Sequence, residues 1–359
     1  MDIYILNSSF EKVGIVNSFI SAIWTTRYYS PGDFELCVGA SMDVVTLFQR
    51  GMYLVRDQDI IKNGIYTEYR HVMRITNRTI NVDPENGDQL IVTGKDLKSI
   101  LYQRVIIDQT VLSGSVLSCV DQLVDENITT PVDEVRQISN FAIADQTASG
   151  ALATSMKKQI TGKNLGEAIG EICMTYGVGY DVYFSTNGFA FYFEMFEGED
   201  RSYNQSDNPY VVFSNEFGNL LSCEYVEDAS EYANSYIVAG EGEGVDRTKV
   251  MSGTASGIAR YEIWVDQRTA SSNSGEIPEV EYLEQLRQDG LEAIREAEVI
   301  TTFAGEIDGA GQFTFGNDFF LGDVVQIETD YGINVAARII SVIESENETG
   351  YSIIPAFTE

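Results

Sequence analysis

Short β-type runs separated by turn-forming residues are the feature that most restricts the fold of this chain. In residues 1–108 these runs are rich in Val, Ile, Tyr and Phe, and turn formers at 31–33 and 84–88 separate them. We predict strands at residues 4–6, 12–16, 34–38, 52–56, 72–82 and 90–93. Short strands in series predict a barrel or sandwich, which a helical turn containing Leu97, Ile100 and Leu101 closes.

The middle of the chain changes to a helical period. One helical face is formed by Val116, Cys119, Val120, Leu123 and Val124, with Ser113 or Ser115 as N-cap. A second is formed by Leu165, Ile169, Ile172, Cys173 and Tyr176, with Asn164 as N-cap, Glu167 completing a capping box and Gly177 as the stop. A hairpin of strands 180–184 and 189–193 about Asn187-Gly188 follows, and the polar stretch 140–162 is interpreted as a loop.

Strands return after about residue 220. We predict them at residues 235–239, 261–266, 299–307, 324–328, 336–343 and 351–354, interrupted by one helix. That helix opens at Pro278 and places on a single face Leu283, Leu286, Gly290, Ile294 and Ala297. The predicted fold is therefore mainly β: a first antiparallel barrel (1–108), an α+β domain (109–219) and a second barrel with one helix (220–359).

Charge excludes several classes of function. Fifty-five acids against 23 bases give a net charge of −32, which repels phosphate backbones and anionic headgroups. We therefore expect neither stable nucleic-acid binding nor membrane insertion. An acid at position 2 and a short apolar run do not fit a secretory signal, so we expect synthesis in a cytosol.

Residues suited to catalysis or metal binding lack a supporting pattern. The sequence has one histidine, His71, in an alternating run without a nucleophile motif, and we interpret it as a strand-face side chain. The cysteines are widely spaced, which favours buried free thiols at Cys37, Cys119, Cys173 and Cys223. The acidic segments 197–200 and 308–311 do not match a calcium loop and are interpreted as solvated turns. We predict no catalytic, cofactor-binding or metal-binding residues.

Two further features have a plain structural interpretation. The glycine-rich segment 240–244 follows a strand as a dinucleotide loop would, but two acids lie where a pyrophosphate would bind, so a surface loop is favoured. The aromatics Trp24, Tyr28, Tyr29 and Trp264 would suit a sugar platform, yet such side chains more often fill cores or subunit contacts.

The order of several blocks is more informative than any single residue. These blocks are residues 4–7, 21–24, 27–29, 32–36, 91–97 with 100, 101 and 104, 217–221 with 234 and 238–240, 316–325, 337–339 and 355. In their order the chain resembles the tail hub proteins of siphophages, minor tail proteins that lie at the tip of the tail tube and are similar in architecture to the baseplate hubs of contractile phages.

This resemblance implies a homotrimer in which each subunit contributes two barrels to a ring, so that six similar units meet a sixfold tail tube above a threefold tip. The implied location is the tail tip of a virion or of a tail-like particle. The implied partners are the distal tail protein or tail tube, the tape measure protein, and a tip spike or receptor-binding proteins. The chain ends directly after its last predicted strand, which argues against a lytic extension. DNA would pass through the ring without binding.

Two alternatives and one hypothesis stay open at this stage. One alternative is a carbohydrate-acting or cell-wall-binding module that uses Trp24 or Trp264, and the other is an adaptor that only carries receptor-binding proteins. The hypothesis is that acids line the channel and prevent DNA from sticking, because phosphate contacts with an acidic wall release no counterions. An acidic exterior that only aids solubility is the competing explanation.

Overall fold

The structure of this protein is a computed structural model, which describes residues 1–85, 87–308 and 311–358. The predicted mainly β class is confirmed, and its sheets are largely antiparallel. Parts of two predicted turns, 84–88 and 308–311, lie outside the described residues at Asn86, Gly309 and Ala310. No helix in the described ranges is long and apolar enough to cross a membrane.

The elements are numbered in chain order. The first part contains β1 (Ile3–Leu6), β2 (Lys12–Val16), β3 (Ser21–Arg27), β4 (Asp33–Gly39), α1 (Met42–Leu47), β5 (Tyr53–Arg56), β6 (Ile60–Asn63), β7 (Tyr66–Tyr69), β8 (Met73–Asn81) and β9 (Gln89–Asp96). The middle contains β10 (Thr110–Ser115), α2 (Val116–Val124), β11 (Phe141–Ile143), β12 (Ser155–Ile160), α3 (Leu165–Tyr176), β13 (Gly179–Ser185), β14 (Ala190–Phe196) and β15 (Val212–Ser214). The last part contains β16 (Glu224–Asp228), β17 (Ser235–Ala239), β18 (Lys249–Ser252), β19 (Glu262–Asp266), α4 (Glu279–Glu296), β20 (Ile300–Ala304), β21 (Val324–Glu328), β22 (Asn334–Asn347) and β23 (Gly350–Thr358).

Strands from both ends of the chain form one large sheet. Eight of them run in the order β16-β20-β23-β22-β3-β4-β9-β8, and every neighbouring pair is antiparallel. In the middle of this run β3 pairs with β22 over seven residues, from Arg27 opposite Ser341 to Ser21 opposite Asn347. We call this β3–β22 contact the seam, because it joins the first part of the chain to the last.

Two hydrophobic cores pack against the same face of the eight strands. Alternation along β3 and β4 directs Trp24, Phe34 and Leu36 into the first core, and alternation along β22 and β23 directs Val342 and Phe357 into the second. Each of these side chains is at most 3% exposed. The opposite face of the eight strands carries the alternate residues.

The middle of the chain forms a third core around two helices. Both predicted helices are confirmed: α2 has Ser115 as its N-cap, and α3 has Asn164 as its N-cap and ends at Gly177 with φ of 67°. They pack on sheets of order β11-β14-β13-β7-β6 and β10-β12. Phe10 and Tyr69, from the first part of the chain, also lie in this core.

A small fourth unit is inserted between β16 and β20. Its three strands have the order β18-β17-β19, and the predicted helix α4 packs on one face against Tyr236, Val238 and Val250. Pro278 occupies the N-cap position of this helix, as predicted. The division of the chain at residues 108 and 219 stays a prediction, and β7 and β15 form pairs across those positions.

Two local predictions are wrong. The stretch 140–162 is not simply a loop, because it contains β11 and β12. In the hairpin of β13 and β14 Ser185 pairs with Ala190, so the loop has four residues, 186–189, instead of a two-residue Asn-Gly turn, and its left-handed residues are Gly188 (φ 72°) and Phe189 (φ 52°). Phe189 accepts this backbone while its ring packs edge-on against Phe184.

Candidate functional site

A cleft of about 770 Å³ opens where the first part of the chain, its helical middle part and its last part come together. Its walls carry many charged side chains, contributed by all three parts. The ones that the following paragraphs describe are Arg56, Asp59, His71, Lys98, Arg201, Asp323 and Glu344. We call this space the junction cleft.

Arg56 is the centre of the charge network in the junction cleft. It ends β5, is 1% exposed, and forms ion pairs with Asp59 and with Glu344 of β22. The guanidinium also lies 5.1 Å from the ring centroid of Trp24. Glu344 accepts a further hydrogen bond from the Tyr351 hydroxyl at 2.8 Å. Because Glu344 lies in the seam, the network fastens the two barrels to each other.

His71 extends this network, and its predicted place on a strand face is wrong. The residue lies in the bend between β7 and β8 with φ of 46°, and its Nδ1 is 2.9 Å from Asp59 Oδ1. Burial lowers the pKa of His71, but the hydrogen bond and charge of Asp59 outweigh that effect and raise it. Burial likewise raises the pKa of Asp59, but Arg56 and His71 outweigh it and hold that pKa below its usual range.

A second carboxylate near the cleft behaves differently. Asp96 accepts hydrogen bonds from the backbone N–H of Gly32 at 2.7 Å and of Lys98 at 3.1 Å. Burial nevertheless raises its pKa to about 6, and the Lys98 ammonium 3.6 Å away opposes this only in part. Asp96 caps the helical turn that closes the first barrel, so its role is to hold that turn.

The acidic segment 197–200 forms one rim of the cleft. Its glutamates Glu197 and Glu199 are exposed, as a solvated turn requires. The segment is also anchored, since Asp323 accepts the Glu199 backbone N–H at 2.7 Å and pairs with Arg201 Nε at 2.7 Å. The segment therefore ties the middle part of the chain to the second barrel.

The chemistry of the junction cleft favours cohesion over catalysis. Asp59, the carboxylate beside the histidine, has a lowered pKa and is therefore a weak base. Arg56 is held by two carboxylates and an aromatic ring, so little of its charge remains for a ligand. Among the described residues, no group of three or more His, Cys, Asp or Glu side chains is placed to hold a metal ion.

The predictions for the aromatic residues and for the cysteines agree with the structure at most positions but not at all of them. Trp24 and Tyr28 are at most 1% exposed, which confirms their core interpretation, whereas Trp264 on β19 is 53% exposed. Of the cysteines, Cys37, Cys119 and Cys173 are buried, Cys223 is half-buried and all four are free. The segment 240–244 forms the connection from β17 to a short helical turn, Gly244–Asp246, before β18.

Sequence reasoning missed the partners at the centre of the cleft. Arg56 and Glu344 are 288 positions apart, and only the fold brings them together. A weak signal existed in β22, because Glu344 occupies the same alternating register as the core residue Val342. An acid at a core-facing position requires a buried cationic partner.

A second feature of interest is the pair of open strands that bound the eight-stranded run. Within the described ranges β16 pairs with β20 alone, and its five residues are exposed. At the other end β5 pairs with β8 only at Met73 and Arg74, so the far half of β8 continues without a partner strand on that side. Unpaired edges of this kind are binding sites for another strand.

Solved structures of phage tail proteins share this fold. A tail protein from Neisseria meningitidis MC58 is 12% identical with a TM-score of 0.60, covering 99% of this chain and 96% of that one. The 43 kDa tail protein of prophage MuSo2 from Shewanella oneidensis is 11% identical with a TM-score of 0.59, covering 99% and 98%. Prophage tail protein gp18 from Listeria monocytogenes EGD-e is 11% identical with a TM-score of 0.53, covering 99% and 94%.

Sequence comparison gives the family directly. A search of curated protein sequences found no match. The family model described as Siphovirus ReqiPepy6 Gp37-like protein matches residues 2–357, nearly the whole chain. The resemblance to siphophage tail proteins is thereby confirmed, and this protein belongs to the Siphovirus ReqiPepy6 Gp37-like family of phage tail proteins.

Proposed function

We propose that this tail protein is a structural hub: a homotrimeric ring at the tail tip that joins a sixfold tail tube to a threefold tip and performs no bond-breaking of its own. The observation that carries the proposal is the eight-stranded antiparallel run shared by both barrels. At the seam, barrel already joins barrel by strand pairing within one chain. Repeating that kind of junction between chains would close a ring of six barrels from three subunits.

The division of labour within the chain follows from this arrangement. Residues 1–108 and 220–359 would supply the two ring barrels, and residues 109–219 would form the peripheral α+β domain. The buried network around Arg56 supports the rigid relation of the two barrels that a ring requires. The distal tail protein or tail tube and the tape measure protein would contact one side, and a spike or receptor-binding proteins the other.

The face of the eight strands that points away from the cores would line the bore. It is rich in small hydroxyl and amide side chains, among them Ser21, Thr25, Asn77, Thr79, Asn81, Thr93, Ser341, Ser345 and Ser352. Charged side chains share this face: Asp33, which pairs with Arg27, and by the same alternation Glu35, Lys95, Glu224 and Asp228. We therefore propose a hydroxyl-rich channel of mixed charge, through which DNA would slide because acids as well as cations face its phosphates.

Native mass spectrometry of the purified full chain tests the ring. We expect a trimer at concentrations of about 10–100 μM, within the range where weak to moderate protein association is populated. Cryo-electron microscopy of intact virions should then place the ring at the tail tip. A strict monomer at high concentration, or virions with no density for this protein at the tip, would overturn the proposal.

One observation favours a second candidate, a cell-wall-binding role. Trp264 is half exposed on a sheet face where Ile237 and Met251 lie in register beside it, and Arg247 is 5.9 Å from its ring centroid. A flat indole beside polar groups suits stacking on a sugar. Binding of soluble peptidoglycan fragments that Trp264→Ala abolishes would support this role. Trp24, which is buried in the first core, does not suit it.

A further inference from the structure

We infer that the ring closes head to tail through two particular strands: the far half of β8 (77–81) on one copy pairs antiparallel with β16 (Glu224–Asp228) on the next. This inference rests on the proposed ring and names the surfaces that form it. The occupant of each open edge is therefore a second copy of this chain.

Strand direction is the first argument. β16 and the far half of β8 bound the same eight-stranded run, and seven antiparallel steps separate them, so the two strands point in opposite directions. A copy placed head to tail therefore continues the antiparallel pattern without interruption. The other open strand of the sheet, β2, lies three further antiparallel steps beyond β8 and runs in the same direction as β16. Pairing β2 with β16 would break the pattern.

The lengths of the two open segments and their exposed side chains also fit this pairing. Both open segments are five residues long, and both expose apolar side chains: Ile80 is 50% exposed and Val226 is 42% exposed. In an isolated chain these are unprotected edges, which proteins usually shorten, cover or pair. Pairing between copies would bury both segments at once.

Charge complementarity is the third argument. In a chain with more than twice as many acids as bases, the open half of β8 carries Arg78 and no acid. The facing strand β16 carries Glu224, Glu227 and Asp228 and no base. In the single chain the guanidinium of Arg78 donates to the Val45 carbonyl at 2.6 Å and to Gln49 Oε1 at 3.2 Å, and it has no acidic partner among the described residues. Opposite charges on cross-strand neighbours stabilise pairing, whereas two copies of the acidic β16 would repel each other.

These arguments give a register. Core-side residues of β8 must face core-side residues of β16, which allows Arg78 to lie opposite Tyr225 or Glu227, and opposite charge selects Glu227. Antiparallel pairing then places Thr79 opposite Val226, with both side chains on the face that points away from the cores. Directly opposite residues of an antiparallel pair have Cα atoms about 4.5–5.5 Å apart, which lies within the roughly 4.4–6.8 Å that a disulfide spans.

Disulfide trapping in the full chain tests the inference. The variant Thr79→Cys/Val226→Cys, in a Cys223→Ser background, should give a covalent trimer after mild oxidation on a gel without reductant. Chains with only T79C or only V226C should stay uncrosslinked alone and form covalent pairs when mixed. The matched control is Thr79→Cys/Tyr331→Cys, because Tyr331 is 94% exposed but lies outside both edges; it should give no covalent trimer.

Two outcomes separate this inference from the proposed ring. A native trimer whose T79C/V226C variant forms no covalent link would overturn the edge pairing and leave the ring intact. A native monomer would overturn both.

A charge exchange gives an independent test. Arg78→Glu should weaken trimer formation about tenfold, and Arg78→Glu/Glu227→Arg should restore it, because only the exchanged pair regains opposite charges. Equal association of the single and double variants would contradict the register.

Discussion

Two of the buried polar junctions among the described residues treat their acids in opposite ways. At the seam, Asp59 and Glu344 both pair with Arg56, and His71 adds a second base. Where α4 meets β12, Lys158 pairs with Glu292 while Asp289 lies buried nearby. The pKa of Asp59 is lowered at the seam, whereas burial raises the pKa of Asp289 to about 7, which Lys158 only partly opposes.

The difference shows what determines whether a buried carboxyl group is ionised. Burial disfavours the ionised form at both places, and only the bases that face each carboxylate reverse that effect. Two bases, Arg56 and His71, face Asp59, so its pKa is lowered and it keeps its charge at neutral pH. One lysine serves Asp289 and Glu292, so the α4 junction weakens as Asp289 ionises. We expect the seam to be the permanent junction and the α4 junction to be the sensitive one.

The largest loss of stability is predicted for a variant that removes the central cation of the seam network. Arg56→Met leaves two buried carboxylates without their cation and should lower the free energy of unfolding by about 3–5 kcal/mol. Urea denaturation at pH 7 measures the change.

Two variants serve as controls for the seam. Arg50→Met removes a cation from an exposed position and should change stability by less than about 0.5 kcal/mol. Arg56→Met/Asp59→Asn/Glu344→Gln should recover most of the loss, because no unpaired charge remains buried. If the single and triple variants were equally unstable, packing of the Arg56 side chain and not its charge would hold the seam.

At the α4 junction, in contrast to the seam, we predict that removing a charge increases the stability of the protein. Asp289 has a folded-state pKa of about 7 against roughly 3.9 in the unfolded chain, so the folded state holds the extra proton between these values. Stability contributed by this group is therefore lost as pH rises through that window. Asp289→Asn mimics the protonated form and should be more stable than the natural chain by on the order of 2–4 kcal/mol at pH 8, with no difference below about pH 4.

The control on the same helix is Glu284→Gln. Glu284 is exposed and pairs with Arg287 at 2.9 Å, so its replacement should change stability by less than about 1 kcal/mol at any pH. Thermal unfolding of both variants from pH 4 to pH 9 makes the comparison. A D289N variant with no advantage at pH 8 would show that Asp289 is not the sensitive group.

The sequence predicted some elements of this structure and missed others, depending on how local their signals are. Helix α3 follows from neighbours in sequence, since Asn164 caps it and Gly177 ends it. The strands β3 and β7 were missed, because buried threonines in β3 and half-exposed residues in β7 obscure the alternation. His71 was misplaced because the alternating run of β8 was extended backwards through a bend that only a positive φ reveals.

The functional surfaces were harder to predict than the elements for one physical reason. Cap and turn signals act over a few residues, whereas the seam joins residue 27 to residue 341. The number of bases facing an acid is likewise a property of the assembled fold, and neither composition nor spacing contains it. The family resemblance supplied what local patterns could not, because it depends on the order of blocks along the whole chain.

The smallest loss of stability is predicted for a variant of His71, the second base of the seam network. Because the pKa of His71 is raised in the folded state, its contribution is fully present below the unfolded value near 6.5 and is lost as pH rises through the folded value. Asp59 keeps its charge over this range, since its own pKa is lowered. The charges of Arg56 and Asp181 have opposing effects on the pKa of the imidazole, Arg56 lowering it and Asp181 raising it. His71→Asn retains a residue that accepts positive φ, so it removes the charge with little backbone strain. We expect the variant to lose about 1–2 kcal/mol of unfolding free energy at pH 5.5 and less at pH 9. This is below the roughly 1.5–3 kcal/mol of a hydrogen bond to a charged group, because the His71 side chain is 34% exposed and solvent screens it. A loss of the same size at both values would mean that His71 acts by shape alone and that Arg56 by itself sets the charge balance of the seam.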